Sequence, residues 1–200
     1  MYDFAYQKPT NLADAVKILS EDMDAKALAG GQTFIPVLKQ RLNKPSVIVD
    51  LAKLGLAGIT VGADSITIGA MTTHATVASN KDVKAKIPGL QHLAFLIGDE
   101  AVRHRGTIGG SLANNDPAAC YPAAVLALGG TIKTDRREIK ADDFFQGMFT
   151  TALEPGELLV AIEFPIPEKA GYASEFAGWP KFSYRSPRVN VSAGVAFQMS

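Results

Sequence analysis

Two glycine-rich stretches in this chain set hydroxyl and amide side chains beside backbone that can come close to a ligand. The first is Ala29-Gly30-Gly31-Gln32-Thr33-Phe34-Ile35-Pro36, and the second is Gly106-Thr107-Ile108-Gly109-Gly110-Ser111, continuing through Leu112-Ala113-Asn114-Asn115-Asp116-Pro117. A Gly-Gly step lacks Cβ atoms, so its backbone reaches positive φ and approaches a bound group closely. Each pair is expected where a strand hands over to a helix. Successive free N–H groups at such a turn would cradle an anion such as a pyrophosphate. No Gly-Lys-Ser/Thr follows either pair, and neither has the G-x-G-x-x-G spacing, so Walker A and Rossmann loops are excluded. One such loop alone reads equally as a tight turn with a helix cap. Two together point to a ligand.

Several other chemistries find no support. His74, His92 and His104 lack metal-ligand spacing such as H-E-x-x-H. His104, between two arginines, reads as solvent-facing, or else as a contact for an acidic partner or a phosphate. Ser111 and Ser186 sit in no G-x-S-x-G elbow, which argues against a hydrolase. The single cysteine, Cys120, excludes an intrachain disulfide and any protein-supplied four-cysteine cluster. Lys+Arg and Asp+Glu number 20 each, and Arg103-His104-Arg105 is the longest basic run. Nucleic-acid binding therefore has no electrostatic basis. The apolar runs fall well short of the ~20 residues that a membrane span needs. Met1-Tyr2-Asp3-Phe4 offers neither the basic region nor the apolar core of a secretory signal. A soluble cytoplasmic protein is expected.

With 47% hydrophobic residues in 200, the chain can build packed cores. Asn11 is placed to cap a helix whose Leu12, Ala15, Val16 and Leu19 form one apolar stripe. A strand over Lys26–Ala29 leads into the first glycine loop, and a helix from Phe34 to Leu42 follows, ended by Lys44-Pro45. Val47-Ile48-Val49 reads as a buried strand. Together these predict a βαβ-like lobe closing near Lys53–Ala57. A second lobe opens with strands at Ile59–Val61 and Ser65–Gly69. Thr73 would cap a helix His74–Asn80, and another spans Leu90–Gly98. After the second glycine loop, Pro117 stands early in a helix running through Tyr121–Leu128. Thr131–Thr134 is a strand, Asp142–Phe145 a helical turn, and Leu158–Phe164 the clearest strand after it.

Together these loops resemble the flavin-binding medium subunit of the molybdenum hydroxylases, the xanthine dehydrogenase and aerobic carbon monoxide dehydrogenase family. That subunit carries A-G-G-x-S/T-x-x-P in one lobe and T-I-G-G-N/S in the other. Further motifs follow in the family's order. Ile68-Gly69-Ala70-Met71-Thr72-Thr73 resembles I-G-A-x-T-T, Gly156-Glu157-Leu158-Leu159 resembles G-E-L-L, and Lys181 with Arg185 resembles K-x-x-x-R. The opening Phe4-x-Tyr6-x-x-Pro9 with its Ala13-Asp14-Ala15-Val16 helix is also similar. The resemblance implies an α+β, two-lobed FAD-binding fold of the PCMH/vanillyl-alcohol-oxidase type. Its lobes would be residues 1–55 and 56–178, and residues 179–200 would begin a small third domain. The alternating Val191–Met199 would be that domain's first strand, its edge open to pairing.

The resemblance also implies the site. Leu28, Ala29, Gly30, Gly31, Gln32, Thr33, Phe34 and Ile35 would wrap the FAD pyrophosphate. Thr107, Ile108, Gly109, Gly110 and Ser111 would clasp the cofactor from the second lobe. Ile97 would give apolar contact, Leu159 a backbone contact and Lys181 a polar one. Cys120 stands where many relatives have an aspartate that touches FAD. Asp116 either replaces that contact or caps the following helix. Trp179 packs over the flavin ring or anchors a turn. The implied function is electron transfer from iron–sulfur clusters through FAD to a terminal acceptor, with no catalytic side chain and no metal on this chain. The implied partners are a large molybdenum–pterin subunit and a small [2Fe–2S] subunit, in a heterohexamer built as a dimer of heterotrimers. A non-catalytic assembly module that kept the fold but lost FAD is the alternative.

Overall fold

Strand and helix alternate from the N-terminus as β1 (Ala5–Gln7), α1 (Leu12–Glu21), β2 (Lys26–Leu28), α2 (Phe34–Lys39) and β3 (Val47–Asp50). The computed structural model describes residues 1–167. The three strands are parallel, with β3 in the middle. Asn11 caps α1 as its spacing predicts, its Oδ1 accepting from the Asp14 amide at 2.9 Å. Ala15 and Leu19 on the inner face of α1 share a core with Val49 and Leu51. Helix α2 stops at Lys39, short of the expected Leu42. Arg41 takes a left-handed φ of 59° there, which a continuing helix cannot accommodate.

The second lobe begins with β4 (Ile59–Val61) and β5 (Ser65–Gly69), followed by six helices. These are α3 (His74–Ser79), α4 (Lys81–Lys86), α5 (Pro88–Leu96), α6 (Glu100–Arg105), α7 (Ile108–Asn114) and α8 (Cys120–Ala127). Then come β6 (Thr131–Thr134), β7 (Glu138–Lys140), α9 (Ala141–Phe144), β8 (Phe145–Gly147), β9 (Thr150–Thr151) and β10 (Leu159–Pro165). An antiparallel sheet runs in the order β4-β5-β10-β6-β7. Strand β5 alternates as a half-buried strand must: Ile66 and Ile68 are buried while Ser65, Thr67 and Gly69 are not fully so. Those isoleucines join Ile132, Ile162, Phe164, Leu112 and Tyr121 in one core between sheet and helices. Each such large apolar side chain contributes about 1.5–3 kcal/mol. Sheet and helices make the α+β arrangement expected from the sequence.

Two helices escape sequence reading for a physical reason. Helix α6 buries none of its residues and α4 buries only Val83, so neither carries an apolar stripe to detect. Their caps were legible, since Asp99 accepts from Ala101 N at 2.6 Å and Asn80 from Val83 N at 2.9 Å. Two further expectations need correction. The second glycine pair follows helix α6 rather than a strand, and it lies inside the first turn of α7. Pro117 stands in the turn before α8, which starts at Cys120.

A strap returning from the second lobe ties the two together. Leu158, in the strap, belongs to the core of the first lobe. Gly156 has φ +73°, and a Cβ there would fall 2.2 Å from Ser20 Oγ of α1. The strap is pinned by Glu157, whose side chain is fully buried. It accepts from Arg137 Nε at 3.0 Å and Nη2 at 2.9 Å, from Thr134 Oγ1 at 2.8 Å and from Glu154 N at 2.8 Å. These donors, Arg137 foremost, hold its carboxyl down at about 2. Its stabilisation is therefore complete above the ordinary glutamate value of 4.5 and is lost as pH falls toward 2. We expect Arg137→Ala to lower the chemical-denaturation midpoint at neutral pH, because it leaves the Glu157 carboxylate buried without its ion-pair partner.

Candidate functional site

Between the two lobes lies a cleft of about 630 Å³, within the ~300–1,000 Å³ of cofactor and small-molecule sites. The first glycine loop forms one side of it. Gly31 turns the chain with φ +72°, and the Ile35 amide bonds the Gly31 carbonyl at 3.1 Å to start α2. Among the described residues, the amides of Gly31, Gln32 and Thr33 make no hydrogen bond. All three residues line the cleft, with Ala29, Gly30 and Phe34. This is an anion cradle of the kind the sequence suggests. The Gln32 side chain folds back, Nε2 donating to the Gly30 carbonyl at 3.1 Å.

The second glycine loop is built differently. Its amides from Ile108 to Ser111 are occupied: Ile108 N reaches Thr72 O at 3.0 Å, and Gly109 N reaches Ala70 O at 2.9 Å. Gly110 N bonds Thr107 Oγ1 at 3.1 Å and Ser111 N bonds Thr107 O at 3.0 Å. The expectation of free donors on both loops therefore holds only for the first. Here the glycines allow contact. A Cβ on Gly109 would lie 2.6 Å from Ala70 Cβ, and one on Gly110 would lie 3.3 Å from Ala29 Cβ. In the first loop, a Cβ on Gly30 would fall 2.1 Å from the Arg105 carbonyl oxygen and 2.8 Å from Gly106 Cα. The two motifs touch each other through missing side chains.

The remaining expected residues divide. Thr107, Gly109, Gly110 and Ser111 line the cleft, as do Ile97, Asp116, Cys120 and Leu159. Ile97 closes α5, its carbonyl held by Arg103 Nη1 at 2.8 Å. Leu159 opens β10 and is buried. Asp116 uses its carboxylate on the Ala118 amide at 2.8 Å, so it holds the preceding turn rather than capping α8. Burial pushes the Cys120 thiol up, which leaves it a neutral, weak hydrogen-bonding group. Leu28, Ile35 and Ile108 are not among the lining residues. Ile108 is fully buried in the core of the second lobe. Lys181, Trp179 and Val191–Met199 lie outside the described residues.

The structure adds cleft residues that the sequence reading passed over. Glu157 and Leu158 enter from the strap, and His74 from the start of α3. His74 directly follows the I-G-A-x-T-T stretch and its capping Thr73, a position whose sequence carries no metal-ligand spacing. It is 6% exposed, and burial holds its imidazole down at about 4.

The family described as "FAD binding domain in molybdopterin dehydrogenase" matches residues 2–167. The chain belongs to this family. Its cofactor is FAD, and its α+β fold is the family's FAD-binding fold. The chain is 41% identical over 179 residues to the carbon monoxide dehydrogenase medium chain of Afipia carboxidovorans, covering 86% of this chain and 62% of that one. It is 40% identical over 169 residues to the glyceraldehyde dehydrogenase medium chain of Sulfolobus acidocaldarius, covering 82% and 60%. Among solved structures, CO dehydrogenase from Oligotropha carboxidovorans superposes with a TM-score of 0.80 at 41% identity, covering 83% of this chain and 60% of that one. Quinoline 2-oxidoreductase from Pseudomonas putida superposes at 0.81 with 38% identity, covering 84% and 60%. The chain thus spans 60 to 62% of the length of these two curated relatives.

The cleft fits the family's cofactor on its own geometry. It offers free amides for a pyrophosphate beside an αL glycine, and apolar side chains such as Ile97 and Leu159 on its walls. A titration of the folded state follows from His74. Its folded value lies below the ordinary 6.5, so the unfolded chain binds this proton first as pH falls. Stability from this residue is complete above 6.5 and is lost on descending toward 4. We expect His74→Leu to flatten the pH dependence of cofactor-free unfolding across that window. The difference from wild type has a limiting slope of about 1.4 kcal/mol per pH unit, measured by denaturant titration.

Proposed function

We propose that this chain is the FAD-binding, electron-transfer part of a molybdenum hydroxylase, similar to its carbon monoxide dehydrogenase and glyceraldehyde dehydrogenase relatives. The observation that carries the reading is the cleft between the lobes, with unpaired Gly31, Gln32 and Thr33 amides on one side and the second glycine loop against it. FAD, when bound, supplies the redox chemistry, accepting electrons and passing them to a terminal acceptor. The chain's own part is to bind, orient and shield. The Gly31–Thr33 amides donate to the pyrophosphate. Thr107, Gly110 and Ser111 face the cofactor from the second lobe. Ile97 and Leu159 keep water from its apolar portion, and Asp116 and Cys120 border the same cleft. No side chain acts as acid or base.

Lobe boundaries near residues 55 and 178 belong to the same reading, as does a contact from Lys181. So do the partners: a large molybdenum–pterin subunit and a small [2Fe–2S] subunit, assembled as a dimer of heterotrimers in the cytoplasm. What supports them is the naming of relatives as medium chains and subunits. No observation favours the alternative, an assembly module without FAD.

Two experiments test the reading. The purified chain should show the visible absorption of bound oxidised flavin. Gly31→Val should abolish it while leaving far-UV circular dichroism unchanged, because a branched side chain cannot adopt φ +72° without strain. Full flavin occupancy in that variant would remove the cradle assignment. For the partners, isolation from the native host should recover molybdenum- and iron-containing chains with this one. A fully active enzyme consisting of this chain alone would contradict the assembly.

A further inference from the structure

His74 is a buried cleft side chain whose chemistry the fold does not use. The start of α3 is secured without its ring: Thr73 Oγ1 accepts from Thr76 N at 3.2 Å, and the His74 amide donates to the Gly106 carbonyl at 3.0 Å. The imidazole itself is buried, and its Nδ1 is fully enclosed with no hydrogen-bond partner among the described residues. Its neighbour Tyr121, its ring tilted 39° to the imidazole with centroids 5.2 Å apart, leaves its own buried hydroxyl unpaired as well. Buried polar groups are almost always satisfied, so an orphan in a ligand cleft marks a bond completed by the ligand. A second position is given over to the ring. Any Cβ on Gly106 would lie 2.5 Å from His74 Nε2, so the glycine that opens the second loop makes room for the imidazole.

We propose that His74 is a cofactor-binding residue: its imidazole, held between Gly106 and Tyr121 on the cleft wall, hydrogen-bonds a polar atom of bound FAD. The proposal rests on the FAD reading above. The ring stays uncharged at neutral pH because burial holds it so, and a neutral imidazole brings one donor and one acceptor. It therefore adds a directed polar contact without placing a charge beside the flavin. Its position where the two glycine loops meet puts this contact at the junction of the lobes. A leucine would fill the same space, remove an unsatisfied group and give up the contact. Retaining a residue that weakens the empty fold is the mark of a binding role.

The test uses the full chain as wild type, His74→Leu and His74→Gln. FAD dissociation constants come from equilibrium dialysis, thermal midpoints from the cofactor-free forms, and histidine ¹⁵N shifts from wild type with and without FAD. We expect His74→Leu to bind FAD about tenfold or more weakly, the loss of one buried hydrogen bond. Its cofactor-free midpoint should equal or exceed that of wild type. His74→Gln should recover part of the affinity, and one imidazole nitrogen should shift when FAD is added. Wild-type affinity in His74→Leu would overturn the proposal. So would a lower midpoint that accounts for weaker binding, because His74 would then be packing alone. A wild-type chain that binds no FAD would instead fail the underlying reading, and the dialysis separates the two.

Discussion

Backbone-to-backbone contact between the two glycine loops is the constraint on which the site depends. Gly30 lies so close to the Arg105 carbonyl and to Gly106 that a single methyl would collide. Gly110 faces Ala29, and Gly109 sits on Ala70. The Gly30 and Gly110 contacts fix one lobe against the other where almost no side chain fits, while Gly109 packs its own loop onto the end of β5 within the second lobe. The cleft is the space left beside that seam. Such contact is stiff, since interiors packed at this density transmit displacement rather than absorb it. The free amides of the first loop are therefore presented from a braced position, and a ligand binding there need not order the loop first.

The seam would open at its far end without the strap. Leu158 carries apolar surface from the second lobe into the first, and Glu157 anchors the strap with a carboxylate whose oxygens are fully engaged. A buried carboxylate is tolerated only when charge and hydrogen bonds together offset its desolvation. Arg137, Thr134 and the Glu154 amide do that here. The G-E-L-L stretch thus joins three tasks in consecutive residues. Glu157 fixes the strap, Leu158 closes the lobe interface, and Leu159 begins the central strand at the cleft wall.

Much of this was legible in the sequence because the signals were local. Caps at Asn11 and Thr73, the alternation of Ser65–Gly69 and the Gly-x-Thr turn at Gly31 each depend on neighbouring residues alone. Strands β4, β5 and β6 fall where their patterns put them. What was not legible depends on distant partners. Whether an amide in a glycine loop is free is settled by carbonyls elsewhere in the chain, such as Thr72 and Ala70 for the second loop. Helix α6 has no buried face and so no period. His74 looked unremarkable because its meaning lies in what does not reach it. Ile108, placed in the site by its motif, points into the core because helix α7 turns that side inward.

The division of labour between the loops is the central claim, and amide hydrogen exchange with and without FAD tests it most directly. Exchange follows hydrogen bonding residue by residue. In the cofactor-free chain, Gly31, Gln32 and Thr33 should exchange fast while Ile108, Gly109 and Ser111 are protected. On adding FAD, the first group should become protected and the second should change little. Protection gained mainly at Ile108–Ser111, with Gly31–Thr33 still exchanging freely, would contradict the account.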